Sequence, residues 1–210
     1  MKHLGVVPVV SLFLLGFQVQ AGRISTVTAS TPDMGAGFGT LLINTVNGAG
    51  LNTLSLTALH DSTAPNNSWV SSGDILTGHV IFDLGMTFLV DSFSFWNQNT
   101  GGPDLSGGTG IRGVQVSTSL NGITYSPLLG GPTQFSQVTT APAGPEIFNF
   151  APVSTRFFQF TISSNWGDTA ETGFAEVGFN NAAIPEPTTL SLAAIGALAI
   201  LALKRRYRRS

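Results

Sequence analysis

The chain has 210 residues, 42% hydrophobic and 10% charged, with no cysteine; that length suffices for one ordinary core, and a disulfide-stapled scaffold is excluded. Nine Lys and Arg nearly balance eleven Asp and Glu, but six of the cations (Lys2, Lys204, Arg205, Arg206, Arg208 and Arg209) lie at the two ends. Residues 22–187 keep only Arg23, Arg112 and Arg156 against all eleven acids, a formal charge of −8; this argues against nucleic acid or anionic phosphate partners, which need clustered cations, and leaves divalent cations, neutral glycans and protein surfaces open.

At the start, Met1-Lys2-His3 is a short positive segment, residues 4–17 are apolar, and Val19-Gln20-Ala21 fits the small-residue pattern of a signal peptidase site. The pattern predicts a signal peptide over residues 1–21, cleaved after Ala21. A permanent N-terminal anchor is the alternative, and Pro8 and Gly16 interrupt the run it would need. An exported chain without cysteine is held together by its core or by metal ions.

The exported part reads as strands and turns. Val80-Ile81-Phe82-Asp83-Leu84 is a short apolar run between Gly78 and Gly85. Residues 88–96 alternate, with Leu89, Phe93 and Phe95 on one side and Asp91 at the same parity, which predicts a strand with one buried face and a wet end. In residues 113–125, Val114, Val116, Thr118 and Leu120 oppose Gln115, Ser117 and Ser119; Asn121-Gly122 predicts a tight hairpin turn, after which Ile123 and Tyr125 resume the pattern. Further strands are expected at 147–150, at 156–163, where Phe158, Phe160 and Ile162 oppose Gln159 and Thr161, and at 174–179. Glycine- and proline-rich stretches at 97–110 and 129–145 read as end loops. Strands at this spacing predict an all-β antiparallel sandwich or jelly roll over residues 22–180, and no repeat period points to a solenoid.

Candidate ligand contacts are few. Trp69, Trp96 and Trp166 present aromatic faces of the kind that stack on sugars, although tryptophans of small sandwiches also serve as core or rim. His60 with Asp61, near Trp69, is the most site-like cluster; His79, at a strand start, reads as structural. Enzyme motifs are missing: there is no Gly-x-Ser-x-Gly elbow, no His-Glu-x-x-His, no phosphate loop and no cysteine nucleophile. A carboxylate pair converging from distant strands for glycoside hydrolysis stays a third reading, favoured by no spacing.

The end of the chain is the most specific segment. Ile184-Pro185-Glu186-Pro187 breaks any helix entering from the domain. The sixteen apolar residues 188–203 follow, roughly 24 Å of helix, and residues 204–210 carry five cations that place this side in the cytoplasm. Motif, short membrane helix and basic tail resemble the PEP-CTERM sorting signal of Gram-negative bacteria; an ordinary membrane anchor is the alternative. The resemblance implies an exosortase-type peptidase acting at Pro185, Glu186 and Pro187, an inner-membrane precursor, and release to the cell surface or extracellular matrix.

A second resemblance runs through residues 24–180. Val46-Asn47-Gly48, Trp69, Ile81-Phe82-Asp83-Leu84-Gly85, the strand through Asp91, the segment from Gly113 to Asn121-Gly122, and Gly173-Phe174-Ala175-Glu176-Val177 follow in the order of a coagulation-factor-type C domain, also called discoidin or galactose-binding-like. It implies a structural calcium held by Asn47, Glu176 and nearby Asn44; the residues alone equally allow a plain Asn-Gly turn and a capping glutamate. The expected protein is a non-enzymatic exported jelly roll that binds exopolysaccharide or another surface glycan, or else a structural matrix or surface-layer component with no small ligand.

Overall fold

The computed structural model describes residues 22–100, 106–183 and 196. Ala21 and the expected signal peptide, the Pro185-Glu186-Pro187 motif and the basic tail lie outside the described residues. So does the expected helix at 188–203, apart from Gly196, which is helical.

Residues Ala21–Ala182 form a compact unit. Among the described residues it holds β1 (Gly22–Arg23), β2 (Thr28–Ser30), β3 (Trp69–Val70), β4 (Gly78–Asn97), β5 (Ile111–Ser119), β6 (Ser126–Pro127), β7 (Glu146–Asn165) and β8 (Gly173–Asn181). Every strand pairing is antiparallel. The expected all-β antiparallel sandwich is the fold observed, with one change in how its layers are made.

That change lies in β4 and β7, which each fuse two expected strands. The first half of β4 pairs with β2 and with the second half of β7, and β5 and β6 extend this layer. The second half of β4 pairs with β8 and with the first half of β7, and β1 and β3 attach to β8. The long pair crosses between layers at irregularities. Pairing slips between Asp83 and Phe88, where Gly85 takes φ +88°, and again between Val90 and Ser92, where the facing stretch of β7 contains Pro152, which has no amide to donate. This second slip explains the misplaced Asp91. The bulge shifts parity by one, so Val90 and Phe93 both face the core, while Asp91 accepts hydrogen bonds from Ser92 and from Asn180 (2.8 Å).

The core is aromatic. Phe82 of the first layer meets Phe179 and Phe174 of the second at 5.5 and 6.2 Å between ring centroids, and Phe158 stacks on Phe179 at 4.5 Å. Such pairs add about 0.5–1.5 kcal/mol each beyond the area they bury. A smaller cluster of Trp96, Ala58 and Ala175, with Leu51 against it, lies apart from this core. There Ser94 and Trp96 donate to the carbonyls of Leu56 and Ala58, which ties the segment before β3 down over β4.

The expected hairpin after β5 is wider than a two-residue turn. Ser119 Oγ accepts the Asn121 and Gly122 amides, and Asn121 Oδ1 accepts those of Ile123 and Thr124. These side-chain bonds replace the ladder, so Ile123 is exposed and pairing resumes only at Ser126.

Candidate functional site

One end of the sandwich gathers the start and end of β4, the start of β5, the end of β7 and the start of β8. Bridges between Gly110 and Gly173 and between Ile75 and Glu171 close this end. The connecting segments enclose a cleft of about 230 Å³, below the roughly 300–1,000 Å³ of pockets for drug-sized ligands and in scale with a single sugar ring. Phe38 and Thr40 line it from the segment after β2, and Thr63, Pro65 and Ser68 from the segment before β3. Gln98 contributes from the end of β4, Thr109 from before β5 and Glu171 from before β8.

Phe38 sits at the second position of a tight turn. The Thr40 amide donates to Gly37 O at 2.9 Å, and the two central residues have positive φ, +48° at Phe38 and +70° at Gly39. That is the φ pattern of a type I′ turn, where Asn, Asp or Gly is usual and an aromatic residue is strained. The ring is nevertheless 77% exposed. The turn is anchored from below: the Gly37 amide donates to Val70 O, and Trp69 Nε1 donates to Gly35 O at 2.9 Å.

Glu171 lies beneath this turn; a Cβ on Gly37 would come within 3.4 Å of its Oε1. The residue is only 9% exposed, and no donor among the described residues reaches its carboxylate. Its backbone is held firmly. Asn165 Nδ2 donates to the carbonyls of Asp168 and Glu171 (2.7 and 2.8 Å), and Thr109 Oγ1 donates to Asp168 Oδ2 at 2.7 Å. Burial, then the nearby Asp168 charge, pushes the Glu171 carboxyl above its ordinary value. Gln98 Nε2 is committed to Trp69 O, so this amide is oriented by the core.

The residues expected from sequence lie mostly elsewhere. Trp69 and Trp96 are corrected to interior residues: at 0% and 2% exposure neither has a face for a ligand, and Trp69 packs edge-on to Phe174. His60 is buried too, with Nδ1 2.7 Å from Asp61 O and Nε2 3.1 Å from Asn67 O, and its backbone exchanges hydrogen bonds with Ala143. It clamps three segments together. Asp61 is exposed, and its carbonyl accepts from Asn99. Trp166 is half-buried, donates to Phe135 O, and carries the Arg112 guanidinium 4.9 Å over its ring. None of these five lines the cleft. His79 is held by Asp33, which accepts from its ring at 2.6 Å and from its amide.

The residues expected to hold calcium each have other partners. Asn44 Nδ2 donates to Pro65 O and Ser68 O, and the exposed Asn47 closes its own turn by accepting the Ala49 amide. Glu176 is fully buried, and its carboxylate already has a cation: Arg23 Nη2 donates to Oε1 and to Val46 O, while the Gly48 amide donates to both carboxylate oxygens. A guanidinium on the carboxylate and on a neighbouring carbonyl leaves these residues a poor fit for calcium, which wants six to eight oxygens free to coordinate. Burial pushes the Glu176 carboxyl up to about 7, even though Arg23 and the Gly48 amide pull it down.

Phe38 and Glu171 were missed by the sequence reading. A lone aromatic in Gly35-Ala36-Gly37-Phe38-Gly39 was the available signal, since four small or permissive residues have no reason to surround a core phenylalanine.

Comparison with known proteins gives likenesses of two kinds. Residues 183–206 match the PEP-CTERM protein-sorting motif. Among solved structures, the chain is similar to the family 32 carbohydrate-binding module of Clostridium perfringens NanJ in complex with galactose, with 14% identity and a TM-score of 0.52 over 77% of this chain and 100% of that one. It is also similar to a family 32 module of a C. perfringens family 89 glycoside hydrolase in complex with GalNAc-β-1,3-galactose (13% identity, TM-score 0.52, 76% of this chain and 99% of that one). A third likeness is to the CBM32-3 module of a C. perfringens family 31 glycoside hydrolase (17% identity, TM-score 0.53, 77% and 95%). At these identities the likeness is one of fold. No curated protein matches the chain in sequence.

Proposed function

We propose that this chain is an exported glycan-binding protein of the bacterial surface or matrix, sorted through its PEP-CTERM segment, and that the cleft under Phe38 is where the glycan docks. The observation that carries the reading is Phe38 itself. A phenylalanine held at positive φ costs conformational energy, gains no burial, and stands over a cleft of monosaccharide size. Strain of this kind persists where the surroundings over-determine it, and it concentrates at sites that bind. A flat exposed ring is the surface on which the apolar face of a hexose stacks, and the Glu171 carboxylate below it accepts hydroxyl hydrogen bonds. Two modules with the same fold are described in complex with galactose and with GalNAc-β-1,3-galactose, which supports a sugar as the ligand class. No catalytic step is assigned; recognition is the role.

A glycan array probed with the full-length protein and with Phe38→Ala tests this. Binding to a defined set of glycans, lost in the variant while its melting temperature holds, is the expected result. A blank array favours a purely structural matrix component instead. The sorting half is tested by mass spectrometry of the protein recovered from its host: termini near Gly22 and near Pro185-Glu186-Pro187 are expected, and a mature chain that retains Arg209 overturns processing.

A further inference from the structure

We propose that Glu171 sets the charge class of the ligand: the cleft accepts a neutral or amino-bearing hexose and rejects a uronic acid. This rests on the cleft reading above and adds a selectivity to it.

The argument begins with what surrounds the carboxylate. Glu171 is more than nine-tenths buried, lines the cleft, and meets no donor among the described residues. Its oxygens are not among the fully buried unpartnered atoms, so they open to solvent, and a ligand that displaces that solvent has to supply the hydrogen bonds in its place. Here the open side is the cleft, so the donors are to come from whatever enters it. Hydroxyl and ammonium groups are donors; a carboxylate is not.

No cation among the described residues offsets the charge. Residues 22–183 contain no lysine and only three arginines, and each is engaged away from the cleft: Arg23 with Glu176, Arg156 with Asp83, and Arg112 over Trp166. Neither His60 nor His79 lines the cleft. Asp168, bonded to the lining residue Thr109, adds a second acid nearby. A sugar carboxylate would therefore face like charge in a partly desolvated site, with no guanidinium or ammonium to receive it. An amino sugar meets the opposite situation, because its ammonium finds a carboxylate below and the face of Phe38 above.

The test compares three polymers of similar length: an uncharged galactan, glucosamine oligomers and galacturonan. Affinities are measured with the full-length protein at about pH 6, where ordinary carboxylates and the amines of glucosamine oligomers are both charged. The wild type is expected to favour the neutral or amino polymer over galacturonan by about tenfold or more, and Glu171→Gln to shrink that ratio by a similar factor. Raising the salt concentration should narrow the wild-type ratio without any substitution, since charge discrimination is screened. Equal binding of galacturonan by the wild type, a ratio indifferent to salt, or a ratio unchanged in a folded Glu171→Gln variant overturns the proposal. Binding that depends on Phe38 and ignores Glu171 removes only this charge assignment, whereas binding that ignores Phe38, or no binding at all, removes the cleft reading and the assignment together.

Discussion

Arg23 of β1 donates from Nη2 to the carboxylate of Glu176 on β8, and the same nitrogen reaches Val46 O at 3.4 Å. One side chain thus joins the first strand of the exported domain, the last one, and the turn at 46–48. The pair is interior: the Arg23 side chain is 12% exposed and that of Glu176 not at all. Removing one partner leaves the other charge buried alone, which typically costs about 3–5 kcal/mol, whereas replacing both by apolar residues is often near neutral. At about pH 8, above the value of about 7 at which Glu176 takes up a proton, Arg23→Met should therefore lower stability by about 3–5 kcal/mol, and Arg23→Met with Glu176→Leu should recover most of it. Urea denaturation of both variants checks this; a double variant no better than the single one would show that the pair is not acting as a unit.

Calcium follows from the same pair. With a guanidinium on both Glu176 and the Val46 carbonyl, the wild-type melting temperature should be indifferent to millimolar calcium and to chelator. Arg23→Ala uncovers one carboxylate and one carbonyl, so its melting temperature should become the calcium-sensitive one. Thermal melts with and without the ion decide it, and a clear upward shift in the wild type would put calcium back.

Two carboxylates give stability opposite pH slopes. Glu176 rises from 4.5 to about 7 in the folded chain because burial outweighs Arg23. The folded state therefore keeps a proton that the unfolded state has released. The stabilisation from this group is complete below about pH 4.5 and is lost as pH climbs through about 7. Asp83 runs the other way. Hydrogen bonds from Arg156, at 2.8 Å to each oxygen, hold it below its ordinary 3.8 against the effect of burial, so its contribution is present above that value and lost as pH falls. Melting temperature against pH should decline between about 5 and 8 in the wild type and flatten there in Glu176→Gln. A neutral-pH decline that survives unchanged in the variant would assign it to another group.

The strands were legible because alternation is a local signal. Phe158, Phe160 and Ile162 declared an inward face in β7, and Val114 and Val116 did so in β5. The fusion of two segments into β4 was not legible, since Gly85, at φ +88°, reads in sequence as the end of a strand, and the bulge at Asp91 looks like one polar residue out of phase. The cleft was hidden for a different reason. Phe38 and Glu171 stand 133 positions apart in irregular segments, and only the closing of the sandwich brings them together. Tryptophan was the misleading cue, because in this small domain two of the three are needed for the interior.

Trp69 still matters to the site, indirectly. Its indole nitrogen donates to Gly35 O, three residues before Phe38, while its ring packs against Phe174. Trp69→Phe keeps most of the apolar volume and removes that donor, leaving a carbonyl without its partner at about 1–3 kcal/mol. Glycan affinity should fall more than stability does, through a faster off-rate, because the turn carrying Phe38 is no longer pinned. Surface plasmon resonance on the variant would show this; an off-rate equal to the wild type's would confine Trp69 to the core.

Phe38→Gly separates binding from folding most cleanly. Glycine adopts positive φ without a Cβ clash, so the change relieves strain at φ +48°, while the greater freedom of glycine in the unfolded chain costs about 0.5–1 kcal/mol. The two effects oppose each other, and the melting temperature should stay within a few degrees of the wild type. The exposed ring makes no core contact whose loss would tip that balance. Glycan binding, by contrast, should drop by about tenfold or more, since the stacking surface is gone. A marked loss of stability in Phe38→Gly would mean that the ring is structural, and retained affinity would move the ligand away from the cleft.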